Sequence, residues 1–226
     1  MFSTAPNTAF SFIKEGEELF SKLFEVYDEQ KPITNTIVGE NYENERITGS
    51  KAFNYYNENR NNLQPFHDAY IKYIKIKPEL QNKINDKINE LKKDSEQTIA
   101  IFIRSNTLAR EQPSGRMPTR EEYDSAIDKI DKSKNPKYFL CIDNEDDLEY
   151  FKNKYEPNYY TDIRRSSNKN DGEAHVNTVG GLDQLEKSFI EVVLLSSCDT
   201  IIHCVSNMVT ASLYMNMNQK SICVSK

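Results

Sequence analysis

Four side chains in the second half of the chain carry groups that proteins use to hold phosphate: Arg104, Arg165, Ser206 and Asn207. A guanidinium group can pair with two phosphate oxygens through parallel hydrogen bonds. A hydroxyl and an amide at the start of a helix add donors where the helix dipole is positive. Taken singly, each of these residues also fits a helix cap or a surface ion pair. Gathered at one place, they suit a diphosphate.

Short apolar segments precede these residues and predict the strands that must position them. Arg104 follows TIAIFI, Asp143 follows YFLCI, and Ser206 follows TIIHCV. Two further strands are predicted in NYYTDI, which ends just before Arg165, and in SICVS near the end of the sequence. Continuous apolar strands separated by helices predict a parallel sheet with both faces covered. Ligands of such sheets bind outside the carboxyl ends of the strands, so we expect these residues to meet at one edge.

The composition changes near residue 95 and divides the chain into two predicted parts. Residues 1–94 predict a helical segment with a long polar loop over 31–62, and residues 95–226 predict an α/β domain with a Rossmann-like parallel sheet. Thr119 and Glu122 have the spacing of a capping box at the start of one helix. Helices are predicted over residues 8–30, 65–74, 78–93, 119–130, 145–155, 181–198 and 207–215.

Charge and cysteine content exclude several classes of protein. A net charge of -6 argues against a basic surface for nucleic acid or anionic lipid. No apolar run approaches the roughly 18 residues of a transmembrane helix, and the first residues lack the pattern of a secretory signal. The cysteines match no zinc spacing and are expected to be buried, reduced thiols, so we expect a cytoplasmic protein. They are Cys141, Cys198, Cys204 and Cys223.

Two other short segments bear on metal and cofactor chemistry. The acidic segment DNED at 143–146 allows two interpretations, a divalent metal site or the start of a helix, where negative charge is favoured. The helix start is the preferred interpretation, so no metal is predicted. The glycine pair at 180–181 lacks the G-x-G-x-x-G spacing of a dinucleotide loop. This argues against a nicotinamide dehydrogenase.

The second half of the chain resembles the donor-binding half of the fucosyltransferase-like glycosyltransferases, which include the α-1,6-fucosyltransferases and the rhizobial nodulation enzyme. The resemblance spans residues 70–226, and its most specific part is LLSSCDTIIHCVSN. The other segments that carry it are IAIFIRSN, REEYDSAIDKI, YFLCIDNEDDLEYF, DIRRSSN and EAHVNTVGG. The resemblance implies the C-terminal half of a GT-B-like glycosyltransferase. It also implies inverting, metal-independent transfer of fucose from GDP-fucose to a glycan or another hydroxyl acceptor.

The resemblance further implies roles for individual residues. Arg104 matches the arginine that binds the donor diphosphate, and Asp143 matches an acid near the nucleoside. Ser206 matches a serine at the helix start that contacts phosphate, and Glu191 matches an acid on the preceding helix. The nucleotide sugar is a substrate in this scheme, and no separate cofactor is implied.

Inverting transfer needs a base that takes the proton of the acceptor hydroxyl. His175 and Glu173, in the segment GEAHV, are the candidate bases, and Glu111 is a further one. The pKa of an imidazole suits this task, although a histidine in a loop is often only a solvated side chain. His203 lies inside an apolar strand and His67 precedes a helical run. These two are predicted to pack in the core and at a helix interface.

A second hypothesis is a non-catalytic module that binds a nucleotide sugar or a partner. Two departures from the resembled pattern favour it: Phe102 stands where a histidine is usual, and Thr107 stands where an acid is usual. The first 94 residues are also too few for the acceptor domain of such enzymes. Transfer of a sugar would therefore need an acceptor platform from the N-terminal helices, a missing domain or a partner chain. Retention of Arg104 and of the Ser206–Asn207 pair favours the enzyme.

Overall fold

The computed structural model of the chain describes residues 23–25, 60–104, 116–156, 158–162, 165 and 181–225. Most of the helix predicted over 8–30 and of the loop predicted over 31–62 lies outside these residues. Within them, Leu23–Glu25 forms a short antiparallel bridge to Lys75–Lys77, in which the Glu25 N–H donates to the Lys75 carbonyl at 2.8 Å.

Five strands form one sheet in the order β3-β2-β1-β4-β5, and every neighbouring pair is parallel. The chain first builds outward from β1 through β2 to β3, then returns to the other side of β1 for β4 and β5. The strand order therefore reverses between β1 and β4. The strands are β1 (Gln97–Ile103), β2 (Pro136–Ile142), β3 (Asn158–Tyr159), β4 (Thr200–His203) and β5 (Lys220–Cys223).

Six helices surround this sheet in the described part of the chain. Their bounds agree closely with the predicted ones, including the capping box that Thr119 and Glu122 form at the start of α3. Asn144 caps α4 by accepting a hydrogen bond from the Asp147 N–H, which confirms the helix interpretation of the acidic segment. The helices are α1 (Gln64–Tyr73), α2 (Pro78–Lys92), α3 (Arg120–Ile127), α4 (Glu145–Lys154), α5 (Gly181–Ser197) and α6 (Asn207–Met215).

Helices cover both faces of the sheet, as its continuous apolar strands require. On one face α3 and α4 bury side chains such as Tyr123 and Phe151 against Ile101 and Leu140. On the other face α2, α5 and α6 pack against the alternate strand residues. The buried side chains of this second face include Ile84, Ala100, Phe102, Phe139, Leu194, Ile201 and Leu213. The structure thus confirms an α/β fold with a doubly covered, Rossmann-like parallel sheet.

The cysteines lie in or beside this core as free thiols, three of them buried and Cys223 half-buried. Burial among apolar groups is the usual setting for an unpaired cysteine. None of the helices in the described part of the chain has the length and apolar character that a membrane span requires.

Candidate functional site

Arg104 and Ser206 lie at the same edge of the sheet, on either side of the point where the strand order reverses. The ladder between β1 and β4 ends with the pair Phe102–His203, so Arg104 and Ser206 follow closely on neighbouring strands. Crevices at such a reversal are the usual ligand sites of open parallel sheets. We call the region between Arg104 and the start of α6 the switch-point crevice.

Side chains satisfy backbone groups at the base of this crevice. The hydroxyl of Tyr123 donates to the Phe102 carbonyl at 3.1 Å. The Val205 N–H donates to the hydroxyl of Ser225 at 3.4 Å. The first bond satisfies a β1 carbonyl at the end of its ladder with β4, and the second lies between the ends of β4 and β5, so these buried backbone groups are paired.

Arg104 contributes a positive charge to the crevice. The residue is half-buried, and while burial raises the pKa of the Cys204 thiol, a hydrogen bond from the Arg104 backbone and the charge of Arg104 oppose that rise. The other arginines nearby are engaged: Arg116 pairs with Glu122, and Arg120 pairs with Asp147, each at 2.6 Å. A guanidinium at this edge of the sheet is suited to pairing with an anionic ligand.

Ser206 and Asn207 form the start of α6 on the opposite side of the crevice. Ser206 is the helix cap, and its Oγ accepts a hydrogen bond from the Met208 N–H at 3.2 Å. A hydroxyl that accepts one bond still has its own proton to donate. Asn207 is exposed as the first helical residue. The helix start therefore presents donors and the positive end of a dipole.

Asp143 lies one strand further along the same edge, directly after β2. Its N–H donates to the Ile103 carbonyl at 3.3 Å and so extends the pairing of β1 with β2. Its carboxylate is half-buried and contributes negative charge near Glu191, where it helps to raise the pKa of that acid.

Arg165 is turned into the protein at the end of β2. Its side chain is only 5% exposed. Nε donates to the Ile142 carbonyl and one terminal nitrogen donates to the Thr161 carbonyl, both at 2.9 Å. The same terminal nitrogen lies 3.9 Å from a carboxylate oxygen of Glu191. These contacts occupy the guanidinium from inside the fold.

Glu191 lies on α5 behind this edge, and both of its carboxylate oxygens have protein partners. The Thr161 hydroxyl donates to Oε1, and the Cys141 thiol donates to Oε2 at 3.4 Å. Burial raises the pKa of Glu191, while the Thr161 hydrogen bond and the charge of Arg165 oppose that rise. Glu191 and Arg165 thus form a buried pair that faces the interior.

The candidate bases Glu173 and His175, together with Glu111, lie outside the described residues. The other two histidines are placed as predicted. His203 is fully buried, contacts the Cys204 carbonyl and the Ser221 hydroxyl, and has its pKa lowered to about 4 by burial. His67 contacts the Tyr214 carbonyl at 2.7 Å, between α1 and α6. Within the ranges that the structure describes, no cluster of three or more histidine, cysteine or acidic residues is placed to hold a metal ion.

No family model and no curated protein matches this chain. Among solved structures, it is similar to NodZ α-1,6-fucosyltransferase co-crystallised with GDP, with 15% identity and a TM-score of 0.42 over 64% of this chain and 43% of that one. The same protein soaked with GDP-fucose gives 15% identity and a TM-score of 0.44, over 65% and 44% of the two chains. Fucosyltransferase NodZ from Bradyrhizobium gives 16% identity and a TM-score of 0.42, over 64% of this chain and 43% of that one. The chain spans less than half the length of these proteins, and its own strand order defines its fold independently of them.

Two contributors to this edge were missed at the sequence level. Tyr123 supports β1 from α3, and Thr161 links the segment after β3 to α5. Tyr123 occurs in the EEY segment of a predicted helix, where its apolar neighbours indicate burial, but its hydroxyl partner lies 21 residues away. Nothing in the local sequence indicates the partner of Thr161.

Proposed function

We propose that the switch-point crevice binds the diphosphate of a nucleoside-diphosphate sugar, GDP-fucose being the expected donor, and that the protein transfers the sugar to a hydroxyl acceptor. The main support is one observation: Arg104 and the start of α6 flank the reversal of strand order. Two sources of positive potential there suit an anion with two phosphates.

Each residue of the crevice has a part in this proposal. Arg104 pairs with phosphate oxygens, while the Ser206 hydroxyl and the Asn207 N–H donate from the helix start. Asp143, one strand away, accepts hydrogen bonds from the nucleoside hydroxyls, as acids after the second strand of such sheets do. The diphosphate and the nucleoside then lie side by side along the edge.

The same groups favour the reaction. The acceptor oxygen forms a bond to the anomeric carbon of the sugar while the bond from that carbon to the diphosphate oxygen breaks. Negative charge grows on the leaving diphosphate, where Arg104 and the α6 dipole stabilise it. The acceptor proton passes to a base, for which we propose His175 or Glu173. No metal or further cofactor takes part in this scheme, because Arg104 and the helix start supply the positive charge.

The second candidate function is a nucleotide-sugar-binding module without catalysis. It is favoured by Phe102, which is 2% exposed and packs into the core where the resembled enzymes have a histidine. A core phenylalanine supplies neither a proton carrier nor a hydrogen-bond donor beside Arg104. For the transferase, the acceptor platform comes from the N-terminal helices or a partner chain. In either case the protein is expected in the cytoplasm.

A turnover assay separates the two functions. Purified protein is incubated with GDP-fucose, and release of GDP is followed with and without sugar acceptors, for the wild type and Arg104→Ala. Release that Arg104→Ala abolishes supports the transferase. Saturable GDP binding without release supports the binding module, and a wild type that neither binds GDP nor turns over GDP-fucose rules out both.

A further inference from the structure

Arg165 and Glu191 form an internal link between three elements that meet behind Asp143. Arg165 holds the end of β2 through the Ile142 carbonyl and the segment after β3 through the Thr161 carbonyl. Glu191 holds the same segment from α5 through the Thr161 hydroxyl. We call this set, Arg165, Glu191 and Thr161, the brace.

The side chains of the brace have little exposed surface. The side chains of Arg165 and Glu191 are 5% and 7% exposed, and Thr161 is 4% exposed. A buried pair of opposite charges costs desolvation and seldom adds net stability over apolar side chains of similar volume. Its presence at this edge therefore suggests a role other than general stability.

The point that the brace fixes is the residue before Asp143. Arg165 Nε bonds the carbonyl of Ile142, and the peptide that contains this carbonyl also contains the Asp143 nitrogen. The Asp143 N–H is held in turn by the Ile103 carbonyl of β1. Both polar groups of this one peptide are therefore fixed, one by β1 and one by the brace.

We propose that Arg165 and Glu191 are positioning residues for the nucleoside half of the ligand: they orient Asp143 through the Ile142–Asp143 peptide and contact no ligand atom themselves. This inference rests on the proposed function. It assigns the diphosphate to Arg104 and the α6 start alone, and it divides the edge into a phosphate part and a nucleoside part that separate variants can address.

The two parts are distinguished by calorimetric titration with GDP, which has a nucleoside, and with inorganic pyrophosphate, which lacks one. Glu191→Gln and Arg165→Met are expected to weaken GDP binding about tenfold, the loss of one well-placed hydrogen bond to a polar ligand. Their affinity for pyrophosphate is expected to stay within about twofold of the wild type. Arg104→Ala is expected to lower the affinity for both GDP and pyrophosphate.

Asp124→Asn is the matched control for loss of a buried carboxylate. Asp124 is 8% exposed and accepts hydrogen bonds from Tyr150, Lys154 and Tyr155 between α3 and α4, away from the crevice. This variant is expected to lower the midpoint of thermal unfolding and to leave both affinities unchanged.

A double variant, Arg165→Met with Glu191→Leu, keeps the test informative if Arg165→Met does not fold. An apolar pair removes the unpaired buried charge, so the double variant is expected to regain stability. Its GDP affinity is expected to stay about tenfold low, because the Ile142 carbonyl still lacks its bond from Arg165.

Three results would overturn the inference. Loss of pyrophosphate affinity in Arg165→Met to the extent seen in Arg104→Ala would place Arg165 on the phosphate. Unchanged GDP affinity in all the brace variants, with only lower unfolding midpoints as in Asp124→Asn, would leave the brace a purely structural device. A wild type that binds neither ligand would remove the proposed function itself, and the inference with it.

Discussion

Phe102 and His203 are the last backbone pair between β1 and β4, the two strands between which the strand order reverses. The Tyr123 hydroxyl donates to the Phe102 carbonyl of this pair. The Ser225 hydroxyl accepts from the Val205 N–H, between the ends of β4 and β5. Side chains from α3 and from the residues after β5 therefore support the strand ends that flank the switch-point crevice.

The support that Tyr123 gives to β1 is testable by removing one oxygen. Tyr123 is 1% exposed, and its hydroxyl is the donor to the Phe102 carbonyl. Tyr123→Phe leaves that buried carbonyl without this donor, so the free energy of unfolding is expected to fall by about 1–3 kcal/mol. Urea unfolding measures the change. Tyr73→Phe, at a ring that is 57% exposed, is the control and should leave the free energy of unfolding unchanged. Equal free energies of unfolding for the two variants would contradict the support of β1 by the Tyr123 hydroxyl.

The cap at the start of α6 has two expected effects. Ser206→Ala removes the oxygen that accepts from the Met208 N–H, which should cost about 0.5–2 kcal/mol of stability. It also removes a donor from the crevice, so pyrophosphate affinity should fall. Ser206→Thr retains the hydroxyl, so this variant should keep most of the stability and most of the pyrophosphate affinity of the wild type. If Ser206→Ala binds pyrophosphate as tightly as the wild type, Ser206 has no place in the phosphate site.

Burial of His203 makes stability depend on pH. Its pKa in the folded protein is lowered to about 4 by burial, whereas an unfolded histidine titrates near 6.5. Between these values the unfolded chain binds the extra proton, so stability is complete above about pH 6.5 and decreases as the pH falls towards 4. The full effect is on the order of 3 kcal/mol.

The measurement is the free energy of unfolding at pH 7 and pH 5 for the wild type and for His203→Gln. The wild type should lose more stability than the variant over this interval, because glutamine does not titrate. Parallel losses in the two proteins would show that His203 is not the group responsible.

The sequence predicts the sheet well because the signal for each strand is local. An apolar run such as TIAIFI can be buried only in a strand covered on both faces, and the observed β1 (Gln97–Ile103) differs from it by one residue. The parallel order also places Arg104, Asp143 and Ser206 at one edge without further information, since each follows the carboxyl end of a strand within three residues.

Pairing between distant segments is what the sequence does not predict. The third strand was expected over residues 158–163 but covers only Asn158–Tyr159, because the chain then turns its Thr161 hydroxyl to Glu191. Likewise, the presence of an arginine at position 165 is as compatible with binding a phosphate ligand as with an internal hydrogen-bond partner. Only the tertiary structure shows its guanidinium engaged with Ile142 and Thr161.

The most direct test of the central claim is a calorimetric titration of inorganic pyrophosphate into the wild type, Arg104→Ala and Arg116→Ala. Arg116 is the matched control, since it is 56% exposed and paired with Glu122. We predict saturable binding to the wild type and to Arg116→Ala, and an affinity for Arg104→Ala that is about 10- to 100-fold lower, as loss of a charged hydrogen-bonding partner implies. Absence of binding to the wild type, or equal binding to all three proteins, would contradict the assignment of the switch-point crevice to a diphosphate.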